Sequence, residues 1–309
     1  MGMGQYIARR LFHSIFVILG VITAVFIITN LTGDPVRTMF GEFVTSEEEL
    51  QRYREELGLH RPLYVQYVDF VTSAVMLDFH DSLRLQGSAM ENVLHRFPRT
   101  LLLASAALFI AVTLSVVLGI ISAVKRYSIL DNVVMFFALL GQSIPNFWLG
   151  IMLILLFAVT LGWLPSQGYE LSLRHLILPA VTLAAPPLAQ MTRLVRSGML
   201  DVMSSDYVRT ARAKGLREST VIFAHAFKNT AIPLVTMIGL NFGLLLAGAI
   251  VTEQVFQWNG VGLLLVDSIF ARDFPVVQAA VFIIASCFVI INLIVDILYT
   301  WLDPRIRLT

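Results

Sequence analysis

Five cations stand in one polar stretch of an otherwise apolar chain. Between Asp206 and Pro233 the sequence reads DYVRTARAKGLRESTVIFAHAFKNTAIP, with Arg209, Arg212, Lys214, Arg217 and Lys228 around a single glycine, Gly215. Val208 and Ala211 fall on one helical face, with Arg209 and Arg212 beside them. Thr210, Ala211 and Ala213 are small enough to let another surface approach closely. Ser205 or Asp206 can cap a short helix. Gly215 marks the turn, because glycine reaches positive φ without a Cβ clash. A second helix is expected from Glu218 to Lys228, and Pro233 then starts the next apolar run, where its missing N–H matters little. The chemistry available to such a helix–turn–helix is binding rather than turnover. A basic loop that only fixes membrane topology would carry the same charge. Topology does not require the small-residue patch ahead of one glycine, and that patch favours the contact reading.

Other polar residues interrupt the apolar runs. Pro145, in Gly141-Gln142-Ser143-Ile144-Pro145-Asn146, removes a backbone hydrogen bond and predicts a kink. Gln142, Ser143 and Asn146 either refill the freed bonds or line a pathway. Asn241 lies among Gly239, Gly243 and Gly248, so it serves either close helix packing or a pore lining. Glu253 stands near Trp258; it either meets a substrate's amino group or is an interfacial charge with Trp258 as a belt anchor. Asp296 predicts an ion pair with Arg305 or Arg307. His13 and His175 read as satisfied interfacial histidines, and the other four show no ligand spacing. Cys287, the only cysteine, reads as an apolar filler, so neither a disulfide framework nor a metal site is expected. The three lysines follow Val124, Ala213 and Phe227, which leaves no phosphate-binding Gly-Lys. No nucleophile elbow or H-E-x-x-H helix is present. The chain reads as no enzyme, with no cofactor of its own; energy for uphill movement would have to enter through another protein.

These residues are positioned by membrane helices. Of 309 residues, 57% are hydrophobic and 14% charged. Six apolar runs are long enough to cross a hydrocarbon core about 30 Å thick: 10–31, 100–124, 132–161, 176–195, 232–252 and 276–300. The fourth is the weakest, since it holds Pro179, Pro186 and Pro187. Asp, Glu, Lys and Arg are absent from 11–33, 100–124, 132–169, 175–192, 229–252 and 274–295. That argues against the intramembrane carboxylate relay of a proton-driven transporter. A stand-alone secondary transporter or channel, for example one coupled to sodium through neutral oxygen ligands, is the rival class. The net charge of +1 gives no reason to expect a nucleic-acid partner. Thirteen basic residues flank one side of the spans, whereas the opposite short loops hold Arg174 and Arg272. The positive-inside rule then places both termini and the 206–233 loop in the cytoplasm. The first run is too long for a signal peptide and reads as a retained helix.

Segment 32–99 is the largest polar region. Ser46-Glu47-Glu48-Glu49 fits a capping box, which starts a helix ending at Gly58. A second helix opens at Pro62, with Leu63, Tyr67, Phe70, Val71 and Ala74 at helical spacing. The region serves either as a cap on the outer mouth or as a docking surface. Domain limits are expected at 1–95, the first span with the outward loop, and 96–303, a five-span core that includes the loop 205–230.

The stretch Arg209-Thr210-Ala211-x3-Gly215 resembles the cytoplasmic "EAA" loop of ABC importer permeases, keeping its second alanine and its glycine. The resemblance is closer to the dipeptide/oligopeptide/nickel branch and its B-type subunit. YVRTARAKGL, NTAIPLVTMIGL, VFQWNGVGLLLVDSI, RDFPVVQA and DPRIR carry it, as do GDPVR at 33–37, LGLHRPLYVQY at 57–67 and SIPNFWLG at 143–150. It implies an all-α integral membrane protein of the bacterial inner membrane, with six transmembrane helices in a type I ABC importer permease fold. It further implies a heterodimer with a related permease, two cytoplasmic ATPase subunits that use ATP and magnesium, and an extracytoplasmic substrate-binding protein. Arg209, Thr210, Ala211, Arg212, Gly215 and Leu216 would couple to an ATPase. The implied function is import of short peptides by alternating access; glutathione and nickel chelates are carried by other members. His80 departs from the resemblance, which implies glycine after Asp-Phe.

Overall fold

The computed structural model describes residues 3–31, 46–56, 60–168 and 172–302. In chain order its helices are α1 (Met3–Leu31), α2 (Glu47–Glu56), α3 (Leu63–Val75), α4 (Ala89–Val124), α5 (Ile129–Ser143) and α6 (Asn146–Leu153). They continue as α7 (Leu173–Met203), α8 (Asp206–Ala213), α9 (Glu218–Thr220), α10 (Lys228–Phe256), α11 (Val261–Phe270) and α12 (Phe274–Leu302). Wider π-helical turns extend α6 over Ile154–Thr160 and join α9 to α10 over Val221–Phe227. Among the described residues there is no β-strand, and an isolated bridge joins Asp81 and Ser88.

Four stretches are long and apolar enough to cross a bilayer: Arg9–Thr29, Ala89–Val124, Glu218–Phe256 and Phe274–Ile297. A fifth arises if α5 and extended α6 count as one. The expected fourth span falls on α7, whose 31 residues reach about 46 Å at 1.5 Å per residue. Its three prolines, Thr182 and Gln190 dilute its apolar character. The compensation is burial: Leu178, Leu183, Met191, Val195 and Met199 are all enclosed by protein. A helix surrounded by protein tolerates proline because neighbours cover the freed backbone groups.

The expected third span is corrected more sharply. Ile129–Ser143 and Asn146–Thr160 meet at 110°, a break rather than a kink. A residue before proline is driven out of the α region, and Ile144 sits at φ −80°, ψ 127°. Pro145 follows at ψ 134°, so two successive extended residues turn the chain.

The chain packs as two compact units. One is built on Leu101–Trp258 with the described residues from Ile294 onward; the other comprises Gly4–Thr100 and Asn259–Leu293. In the first, α7 packs along α5, α6 and α10. Its core gathers Ile120, Ala123, Met191, Val195, Met199, Ala226 and Leu234. A Cβ built on Gly119 would lie 2.7 Å from Val195 Cβ and 3.0 Å from the Thr192 carbonyl oxygen, so α4 and α7 approach as closely as glycine permits.

In the second unit, α3 begins at Leu63 after Pro62 and buries Ala74 as its spacing predicts, while Leu63 stays exposed. The Tyr67 and Thr23 hydroxyls are hydrogen-bonded at 2.7 Å, and Phe26 stacks against Tyr67 and Phe70. Helix α2 starts at Glu47 as expected; Gly58, its expected end, lies outside the described residues. Asp273, buried at the α11–α12 corner, accepts from the Ser82 hydroxyl and from the Leu83 and Arg84 amides, holding 82–84. His80, where the resemblance implies glycine, adopts φ +65°, and its carbonyl accepts from the Ala89 amide at 2.9 Å. The backbone there keeps the left-handed conformation that glycine takes most easily.

Candidate functional site

The polar loop folds largely as its residue types dictate. Ser205 is the extended residue before α8, but its hydroxyl turns back to the Val202 carbonyl at 2.6 Å instead of capping. After α8, Gly215 adopts φ +76°. Its amide donates to the Arg212 carbonyl at 2.9 Å, and that of Leu216 to the Ala211 carbonyl at 3.4 Å. This paired closure is a Schellman turn, whose left-handed position falls to glycine because a Cβ there is strained.

The buried face of α8 carries Val208 and Ala211 against Val221. Ala211 is therefore not part of an outward small-residue patch, as expected from its type. It anchors α8 to the turn that feeds α10. Arg209, Thr210, Arg212, Ala213 and Lys214 stay exposed, and Tyr207, Leu216 and Phe223 add exposed apolar area. Arg212 grips Glu218 across the turn, with Nη2–Oε1 at 2.7 Å and Nε–Oε2 at 3.2 Å. That hydrogen-bonded carboxylate holds the guanidinium's pKa above its ordinary value. Arg209 faces Asp206 at 3.5 Å in full exposure, where such a pair is worth about 0–1 kcal/mol. Asn229 donates to the Tyr207 hydroxyl at 2.7 Å, a second tie between α8 and the start of α10.

The expected second loop helix does not stand alone. It widens into the π-helical turn at Val221–Phe227 and runs straight into α10. Pro233 consequently lies inside α10 rather than at its start. The loop is thus continuous with two long helices: α7 enters it, and α10 leaves it.

The remaining candidates are placed as follows. Gln142 accepts a hydrogen bond from Arg193, and the Ser143 hydroxyl donates back to the Leu139 carbonyl at 2.9 Å, one turn earlier in its own helix and not the carbonyl that Pro145 deprives of a donor. Asn146 begins α6, half-buried. Asn241 is buried and donates to its own helix, to the Met237 carbonyl at 2.9 Å. Gly239 packs so tightly that a Cβ would fall 2.0 Å from Val295 Cγ2. Glu253 is 0% exposed and Trp258 is 1% exposed. Both are enclosed in protein, which removes the reading of Glu253 as an interfacial charge with Trp258 as a belt anchor. The buried Nδ1 of His175 finds no partner among the described residues, so that ring is not the satisfied one expected. Arg305 and Arg307, expected beside Asp296, lie outside the described residues.

Sequence reasoning missed an ion pair in the same unit. Arg193 and Arg196 are two of the thirteen basic residues counted on one side of the spans, and both lie on α7. Arg196 makes a two-pronged contact with buried Asp131, Nε–Oδ1 at 2.7 Å and Nη2–Oδ2 at 2.8 Å. The Asp131 carboxylate also accepts from the Ser122 hydroxyl on α4 and, at 3.0 Å, from the Tyr127 amide. The signal available was Asp131 itself, a lone acid opening an apolar helix.

Comparison with known proteins places this arrangement. The family model described as "Binding-protein-dependent transport system inner membrane component" matches residues 115–308. The corresponding N-terminal model matches residues 3–104. The chain is 41% identical to the di/tripeptide transport system permease protein DppB of Pseudomonas aeruginosa, over 98% of each chain. It is 41% identical to the oligopeptide transport system permease protein AppB of Bacillus subtilis, over 99% of this chain and all of the relative. It is 42% identical to the glutathione transport system permease protein GsiC of Escherichia coli, over 98% of this chain and 99% of the relative. A membrane-helix bundle with a basic, exposed turn between two of its longest helices therefore belongs to the family of binding-protein-dependent transport system inner membrane components.

Proposed function

We propose that this chain is one permease subunit of an ATP-driven importer of short peptides. It would pair with a second, related permease to form a heterodimeric pathway that opens alternately to either side. Two ATPase subunits would bind the 205–230 loop from the cytoplasm and consume ATP and magnesium, and a binding protein would deliver substrate from outside. In this reading the chain crosses the bacterial inner membrane six times in a type I importer fold, with α7 and the bent α5–α6 pair as two of the spans and both termini in the cytoplasm. Two of the relatives carry peptide names, which supports a peptide cargo; the glutathione-named relative makes that tripeptide the alternative.

One observation carries the reading. The loop keeps its left-handed Gly215 and presents Arg209, Thr210, Ala213 and Leu216 outward, on a chain without a nucleotide-binding motif. The decisive preparation is proteoliposomes holding the chain alone, or with second permease, ATPases and binding protein. ATP-dependent accumulation of a labelled dipeptide is expected from the full set and none from the chain alone. Uphill uptake by the chain alone under an ion gradient would overturn the proposal.

A further inference from the structure

We propose that the Asp131–Arg196 pair is a positioning element for coupling, making the loop-proximal end of α7 and the α4–α5 corner move as one body. The inference rests on the importer reading above. Asp131 is 1% exposed, and three separate segments supply donors to its carboxylate: Ser122 from α4, Tyr127 from the corner and Arg196 from α7. The corner is held in an unfavourable shape, with Tyr127 at φ +61°, and the Tyr127 amide donates directly to Asp131 at 3.0 Å. The Ser128 hydroxyl accepts from the Asp131 amide at 3.3 Å, capping α5 into the same cluster. One turn before Ser122, Gly119 brings α4 against Val195, the neighbour of Arg196. A planar guanidinium held at two points fixes orientation as well as distance.

The position of the pair gives it leverage. From Arg196, α7 continues unbroken to Met203, about 10 Å at 1.5 Å per residue, and α8 begins three residues later. Any displacement of the loop therefore reaches Arg196 along rigid helix before it reaches the middle of the bundle. Buried ion pairs are often replaceable by apolar residues without loss of stability. The use of this pair lies in the link it makes, and stability and coupling separate experimentally.

The test uses the complete reconstituted transporter, with the dipeptide dialanine as probe. The double variant Asp131→Leu/Arg196→Met removes both charges, so neither is left buried alone. It is expected to insert and to co-purify with its partners at the wild-type level. Uptake per ATP hydrolysed is expected to fall by about tenfold, within the range of site-to-site couplings. Wild-type uptake per ATP in that variant would overturn the proposal. Should the double variant fail to assemble, spin labels at exposed Ile129 on α5 and exposed Asp201 on α7, in the otherwise native chain, decide. An unchanged distance between ATP-free and ATP-trapped states supports a single moving body, and a changed distance overturns it. Absence of ATP-driven uptake by the wild-type complex would instead sink the importer reading itself.

Discussion

Gly215→Val is expected to leave insertion and assembly intact while lowering uptake per ATP hydrolysed by at least about fivefold. The reasoning starts from one dihedral. Gly215 sits at φ +76°, and a β-branched residue there is a genuine outlier. Such strain costs about 1–3 kcal/mol, which shifts the occupancy of the native turn by roughly 5- to 150-fold. Space is not the obstacle, because a Cβ at this position meets nothing within 4 Å. The folded bundle therefore survives, while the closure through the Arg212 and Ala211 carbonyls opens. Loss of that closure loosens α8 against the turn, leaving the Val208–Val221 contact and the Asn229–Tyr207 hydrogen bond as its ties to α10, and force arriving at the loop is passed on less fully. Gly215→Asn is the control, since asparagine enters the left-handed region more easily and should keep most of the uptake. The measurement is ATP hydrolysis against dipeptide uptake in the reconstituted complex. Wild-type uptake in the valine variant would deprive Gly215 of any coupling role.

A second large effect is expected at Gly119, and there the obstacle is space. A Cβ at this position would stand 2.7 Å from Val195 Cβ, an atom fixed to backbone, and 3.0 Å from the Thr192 carbonyl oxygen. Neither neighbour can rotate away, so α4 and α7 must part. Overpacking of this kind typically costs about 1–3 kcal/mol, and leucine exceeds alanine because it adds further atoms to the same gap. Gly119→Ala improves intrinsic helix propensity by about 1 kcal/mol and should nevertheless lower the thermal unfolding temperature in detergent. Gly20→Ala makes the same chemical change on α1, where nothing lies within 4 Å, and should leave that temperature unchanged or raised. Equal behaviour of the two alanine variants would contradict the close seam between α4 and α7.

The sequence was most legible where residue type alone forces a conformation. Pro62 at the start of α3 and Gly215 at its turn are of that kind. It was less legible where tertiary surroundings decide. Among the described residues, four helices end in the same paired closure, with Leu77, Gly215, Gln257 and Arg272 at the left-handed position. Glycine marks one of them, so a search for glycine finds one. Pro145 was readable as a disturbance, but its size follows from Ile144 and Pro145 both being extended. Ala211 looked like an outward small residue because its type does not say which face of α8 the chain will cover. Arg196 looked like a topology charge because its partner, Asp131, lies 65 residues away, beyond any local pattern. Of the loop candidates, the turn was legible and the division between inward and outward faces was not.

The central claim, that the 205–230 loop is the seat of a separate motor, is tested most directly by site-specific crosslinking in the intact assembly. Single cysteines would replace Thr210, Ala213 or Ala211 in a Cys287→Ser background, with the partner ATPases present. The account predicts that exposed positions 210 and 213 crosslink to an ATPase, in a manner that changes with ATP, whereas buried position 211 does not. An actively transporting complex in which neither 210 nor 213 reaches an ATPase would contradict it.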